Sequence, residues 1–279
     1  MEISVVTPSL NMLPYLKCCT ASIADQQGAA VEHIVVDGNS HDGTVSWLAA
    51  KPEILSLSEK DKGMYDAVNK GLRLAHGDIL AYLNCDEQYL PGTLSFVKSL
   101  FAAHPSIDIL FGDFLVTRPD GSLIAFRKSF APRRAYIYAS YLYTFTCTMF
   151  FRRRIIDGGF WFNPELRIAG DAEWLLRVLK NGFRAGHRGV YFSIFTDSGQ
   201  NASRGKVALA KARGEYCGGM PAWLKYNRYL VNGVRIMEKI LRGNYWQIPP
   251  LAYDIYTPAD AARRTHFAQQ KESFRWRNG

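Results

Sequence analysis

Four short apolar runs in the first 90 residues each stop at a cluster of polar residues, and this rhythm restricts the fold more than any other feature of the chain. "ISVVTP" leads into "TPSLN", "EHIVVDG" into "DGNSHDG", "EILSLSE" into "EKDKG", and "DILAYLN" into "NCDE". Short β-branched or aliphatic runs bounded by Gly, Pro, Asn or Asp read as buried strands. Between the third and fourth, Met64, Ala67, Val68, Gly71, Leu72 and Ala75 recur at helical spacing, and "HGD" predicts a helix end at Gly77. A further helix is predicted over Pro91 to Ala103, with proline at a tolerated first-turn position. Strands alternating with helices imply a mostly parallel α/β sheet covered on both faces. Such sheets bind ligands beyond the carboxyl ends of their strands, which is where the four polar clusters fall.

Past residue 109 the pattern changes. "DILFGDFLVT", a "RPDG" turn and "SLIAFRKS" predict an antiparallel hairpin, and "TCTMFFRRRII" another strand. In "NPELRIAGDAEWLLRVLKNG" an apolar face of Trp174, Leu175, Val178 and Leu179 predicts a helix ended by Asn181-Gly182. Beyond residue 200 the chain reads as helical, basic and aromatic, with a polar tail after about 257. The expected organisation is an α/β domain over residues 1–200 and a helical basic extension over 201–279 packed on it.

With 48% hydrophobic residues the chain can bury a real core, which excludes a disordered protein. No run reaches the roughly 18 apolar residues of a membrane span, and "MEISVVTPSL" lacks a secretory signal pattern, so a cytoplasmic location is expected. The five cysteines show no CxxC spacing, and they read as reduced thiols rather than a disulfide framework or zinc site. "NAS" at Asn201 reads as a chance glycosylation match. The net charge of +9 is lopsided: residues 1–150 hold 12 basic and 15 acidic side chains, residues 151–279 hold 22 and 10. That basic half suits nucleic acid, an anionic membrane surface, a phosphorylated substrate or plain solubility, and composition does not rank them.

Several polar residues at the strand ends are candidates for chemistry. Asp86 and Glu87 follow a buried run with Asn84 adding an amide oxygen; they read either as a solvated loop or as hard oxygen ligands for Mg²⁺ or Mn²⁺ beside a diphosphate. Asp37, directly after "HIVV", is placed to accept hydrogen bonds from a nucleobase or ribose, whereas Asp42 is explained by turn formation. Lys62 and Lys70 flank "GMYDAVNKGL" and could meet phosphate as point charges. Asp171 opens an amphipathic helix, as an N-terminal structural aspartate or as a dipole-stabilised general base. Glu173, about 200° further round that helix, cannot face the same site.

Together, "SVVTPSLN", "HIVVDGNSHDGT", "EKDKGMYDAVNKGLRLAHGDILAYLNCDE" and "GGFWFNPELRIAGDAEWLLR" resemble the family 2 glycosyltransferases of the GT-A fold, across residues 1–182. The pair "DKGMYDAVNKG" and "LAYLNCDE" is similar to bacterial enzymes of exopolysaccharide, capsule and lipopolysaccharide synthesis. The resemblance implies a Rossmann-like central sheet flanked by helices, with a small antiparallel element. It also implies inverting transfer of a sugar from a UDP-, GDP- or dTDP-linked donor, assisted by a divalent cation. By position, Thr7, Pro8, Ser9 and Asp37 would hold the nucleoside, while Asp61, Lys62 and Lys70 would line the donor. Asp86 falls on the family's acidic metal motif with Glu87 beside it and Asn84 in the motif's first place. Asp171 falls on the catalytic base.

The absence of a QxxRW motif favours single addition over processive synthesis, onto a glycan or lipid-pyrophosphate-linked acceptor. The segment "WLKYNRYLVNGVRIMEKILRGNYW" is a candidate for peripheral contact with anionic membrane on its inner face. The competing class is a non-catalytic nucleotide-sugar or nucleic-acid binding module. Carboxylates at strand ends and the lack of a nucleic-acid motif speak against nucleic acid. A nucleotidyltransferase would call for a Gly-rich basic loop where this chain has "TPSLN".

Overall fold

The computed structural model describes residues 1–199, 214, 216–260 and 262–268. In chain order the first elements are β1 (Ile3–Ser9), α1 (Leu13–Ala24), β2 (Val31–Asp37), α2 (Thr44–Ala49), β3 (Leu55–Ser58), α3 (Met64–Leu74) and β4 (Ile79–Tyr82). Then come β5 (Glu87–Tyr89), α4 (Thr93–Ala103), β6 (Ile109–Thr117), β7 (Leu123–Arg127), α5 (Arg134–Ala139) and β8 (Phe150–Arg152). The remainder is α6 (Arg154–Asp157), α7 (Gly170–Lys180), β9 (Ala185–Thr196), α8 (Ala222–Leu241), β10 (Leu251–Ile255) and β11 (Arg264–Ala268).

One nine-stranded sheet carries the fold in the order β3-β2-β1-β4-β8-β6-β9-β5, with β7 beside β6. The strands β1, β2, β3, β4, β6 and β9 point the same way, whereas β5, β7 and β8 run against them. The mostly parallel α/β arrangement is thus as expected, and so is the β6–β7 hairpin. Alternation explains how the sheet is covered on both faces. Ile3, Val5, Ile79 and Ala81 pack with Cys19, Ile23 and Val97 under α1 and α4, while Val6, Leu80 and Tyr82 pack with Val68, Leu72 and Trp174 under α3 and α7. Helix α3 lies flush on the sheet because Gly71 has no side chain: a Cβ there would come within 2.3 Å of Val6.

Several boundaries differ from the sequence expectation. Helix α3 ends at Leu74, with Ala75 already extended. Gly77 serves the next turn, where a Cβ would stand 2.7 Å from the Ser4 amide nitrogen. Helix α4 begins at Thr93, two residues after Pro91. The polar tail expected from about 257 instead includes β11, which pairs antiparallel with β10. This hairpin is anchored at a distance: the Gln88 side chain donates to the Tyr256 carbonyl (2.8 Å) and accepts from its amide (3.0 Å). Arg263 pairs with Asp25. The expected domain boundary at 200/201 and the Asn201 motif lie outside the described residues. All five cysteines are free thiols.

Candidate active site

The carboxyl ends of β1, β2, β3, β4 and β9 meet along one edge of the sheet. At the end of β1, Thr7, Pro8 and Ser9 are buried. The Thr7 hydroxyl points under α1, bonded to His33 Nε2 at 2.9 Å and close to Cys19, so its side chain belongs to the core. At the end of β2, Asp37 Oδ2 accepts from the Ser40 amide (3.0 Å) and the Ser58 hydroxyl (2.6 Å), leaving buried Oδ1 without a partner. Beside it, a Cβ on Gly38 would meet Asp61 Oδ2 at 2.9 Å. Asp61 therefore packs directly against the residue that follows Asp37.

Lys62 is exposed, and its backbone amide caps onto Asp66 at 3.0 Å. Lys70 is tied into the protein: its ammonium donates to the Lys60 carbonyl (3.0 Å) and pairs with Glu59 (2.8 Å) and Asp66 (3.7 Å). It fixes the loop after β3 rather than projecting from it. A cavity of about 560 Å³ opens here, lined by Leu10, Lys60, Asp61, Lys62, Gly63, Pro164, Glu165 and Arg167. A second cavity of about 550 Å³, beside α1 and α2 around Lys17, His33 and Trp47, includes none of the predicted site residues.

After β4 the chain makes the tight loop that holds the acidic pair. Glu87 opens β5 and is fully buried; Oε2 accepts from the Asn84 amide (2.8 Å) and Oε1 from its side-chain Nδ2 (3.1 Å). Burial pushes the Glu87 carboxyl well above the usual range, helped by Asp86 and, further off, Asp171. Glu87 thus closes the loop from within and gives both oxygens to Asn84. Asp86 keeps an outward place: it is partly exposed, and burial, with a smaller contribution from Asp197, raises its carboxyl to about 6. Its carbonyl accepts from the Thr196 amide at 2.9 Å, which brings the end of β9 alongside.

Among the described residues no three His, Cys, Asp or Glu side chains converge into a ready-made cation site. The donor set nevertheless fits a hard divalent cation that draws its remaining ligands from phosphate and water. Asp86 and Asp197 are neighbouring acids, and in the loop that carries Asp86 the Asn84 Oδ1 is buried without a hydrogen-bond partner.

Asp171 stands at the first turn of α7. Its Oδ1 accepts from the Ala172 amide (2.8 Å) and from the Tyr65 hydroxyl (3.3 Å), and its own amide donates to that hydroxyl (3.1 Å). Tyr65 is itself buried, with its ring stacked on Phe162 at 5.8 Å. Asn69 clamps the Phe162 backbone through both its carbonyl (2.8 Å) and its amide (3.1 Å). Helix α3 thereby fixes the loop that delivers Asp171. Glu173 turns away and pairs with Arg177 at 2.8 Å.

The glycine before the aspartate has a packing cause, since a Cβ on Gly170 would stand 2.5 Å from the Tyr65 ring. Gly170→Ala is therefore expected to displace Tyr65 and destabilise the fold by about 1–3 kcal/mol, as overpacking does. Thermal unfolding measures this, and an unchanged midpoint would mean the ring yields freely.

Three residues in or beside this region escaped the sequence reading. Tyr65 and Arg167 depend on contacts across the fold. Asp197 follows "YFSIFT" and obeys the same strand-end rule as the others.

Residues 4–160 match the sequence model of Glycosyl transferase family 2. The chain belongs to that family. A PGL/p-HBAD biosynthesis glycosyltransferase of Mycobacterium bovis is 34% identical over 121 residues, 40% of this chain and 46% of the relative. An uncharacterized glycosyltransferase of Mycobacterium tuberculosis is 37% identical over 90 residues, 31% of this chain and 34% of the relative. These matches span less than half the length of either relative.

Among solved structures, S. aureus TarS in complex with UDP-GlcNAc aligns over 97% of this chain and 100% of its own, with a TM-score of 0.64 at 16% identity. The Pyrobaculum calidifontis mannosyltransferase in complex with GDP-Man and Mn²⁺ aligns over 89% and 76%, with a TM-score of 0.55 at 16% identity. Likeness at this identity establishes the fold, and the GT-A expectation is met.

Proposed function

We propose that this chain transfers one sugar, with inversion, from a nucleotide diphosphate sugar to a glycan or lipid-pyrophosphate-linked acceptor in cell-surface polysaccharide assembly. The observation that carries this reading is the placing of Asp86 and Asp171. They come from elements about 85 residues apart in the chain, yet Asp86 follows β4 with the end of β9 alongside it, and Asp171 is held at the start of α7 by Tyr65, whose helix α3 leads into β4. Asp37 would hold the nucleoside with the β1 backbone, and Asp61 and Lys62 with Arg167 would line the donor from the cavity wall.

Asp171 would take the proton of the acceptor hydroxyl as that oxygen bonds to the anomeric carbon. The bond from the anomeric carbon to the diphosphate oxygen breaks on the opposite side, and the nucleoside diphosphate leaves. Asp86, with Asn84 and Asp197 beside it, would hold a divalent cation, Mn²⁺ or Mg²⁺. Bound there, the cation would offset charge on the departing diphosphate.

A panel of UDP-, GDP- and dTDP-sugars with and without Mn²⁺ tests the reading. One nucleotide class is expected to raise the melting temperature in a metal-dependent way and to be slowly hydrolysed. If no nucleotide sugar stabilised or reacted, the donor assignment would fall.

A further inference from the structure

Helix α8 is docked with its amphipathic character reversed. The side turned to the body carries Leu224 together with charged residues: Arg235 and Lys239 are buried, and Glu238 holds Arg133 (3.0 Å) and the Tyr136 hydroxyl (2.9 Å). Arg235 lies over the Tyr141 and Tyr143 rings, 5.2 and 5.8 Å from their centroids. The apolar side faces out. Trp223, Tyr226, Leu230, Val234, Met237 and Leu241 recur every three or four residues, so they form one straight stripe along the helix. All are exposed, Tyr226 by 89%, Leu230 by 68% and Leu241 by 80%. Past the helix end, Trp246 and Ile248 are exposed as well.

A soluble surface gains nothing from such a stripe, and continuous exposed apolar patches mark interaction sites. We propose that the outer face of α8 seats the protein on an anionic lipid surface. Charge favours this occupant: Arg235 and Lys239 are turned to the body and Arg242 pairs with Glu238, the only acidic residue of α8, so the charges left beside the stripe are those of exposed Lys225 and half-buried Arg228, both positive. So does composition, because Trp223, Tyr226, Tyr229 and Trp246 are of the residue types that settle at the membrane–water boundary.

A shallow interfacial helix needs no minimum contact area, since apolar insertion and charge attraction add along its length. No helix among the described residues is long and apolar enough to cross a membrane, so α8 would lie on the surface.

Membrane seating does not depend on sugar transfer, so its test uses vesicles and no donor. The full chain is sedimented with phosphatidylcholine vesicles, with and without phosphatidylglycerol, at low and high salt. It is expected to sediment with the anionic vesicles at low salt and to be released at high salt. The double variant Tyr226→Glu/Leu230→Glu should keep the wild-type melting temperature, because both side chains point outward, and should lose vesicle binding by a factor on the order of ten or more. A wild-type chain that stays in solution with anionic vesicles overturns the proposal. So does a double variant that binds as well as wild type, or a chain that pairs through this face without binding lipid.

Discussion

Asp171→Asn is expected to lower the rate of sugar transfer by about 10²–10⁴-fold, the usual contribution of a positioned general base. The substitution is nearly isosteric, and an amide oxygen can still accept from the Ala172 amide and the Tyr65 hydroxyl that now hold the carboxylate. The fold and the approach of the loop to α3 should therefore survive. What is lost is the ability to take a proton, because an amide has no useful basicity at neutral pH. Metal-dependent binding of the nucleotide should remain, since the nucleoside-lining and metal-holding candidates come from the ends of other strands. Single-turnover transfer and nucleotide titration of the same variant separate the two effects. Transfer at an undiminished rate would remove Asp171 from the role of base. Loss of nucleotide binding as well would mean that the aspartate holds the donor rather than the acceptor proton.

The outcome for each residue follows how local its cause is. Asp37 and Asp86 stand out in the sequence because they come at or just past the end of an apolar run, "HIVV" and "LAYL", whereas Asp61 stands out only through the family pattern. Asp197 follows the same rule, but "AGHRGV" at the start of β9 mixes glycine, histidine and arginine, and hides the strand. That strand exists because β6 and β5 flank it, which no short window of sequence records.

Direction was harder to read than position. Thr7 and Glu87 sit at the expected strand ends, yet alternation turns the Thr7 hydroxyl under α1, and the loop closure turns the Glu87 carboxylate onto Asn84. A one-residue difference in a strand reverses the face a side chain meets. Tyr65 shows the opposite limit. It lies in a helix whose apolar spacing was evident, but its partner Asp171 is 106 residues away. The spacing predicts a buried face and says nothing of which distant loop will rest on it.

Asp86→Asn should abolish the metal-dependent part of donor binding while leaving the fold intact. At a nucleotide concentration about 100 times the dissociation constant, binding to the native state alone adds about 2.7 kcal/mol of stability. In a chain of this size that is a rise of about 5–10 °C in melting temperature. In wild type this rise should vanish on adding a chelator, and in Asp86→Asn it should be small with or without one. Without nucleotide or metal, the variant should be at least as stable as wild type, since a neutral amide replaces a carboxylate that burial and Asp197 both disfavour in its charged form. Glu87→Gln is the informative companion. Because the Glu87 oxygens are directed at Asn84, the amide should keep most of the metal-dependent rise, whereas equal loss in both variants would make the two acids joint ligands. If Asp86→Asn kept the full rise, the cation would have to be held elsewhere, and the strand-end reading that singled out this acid would lose its chemical basis.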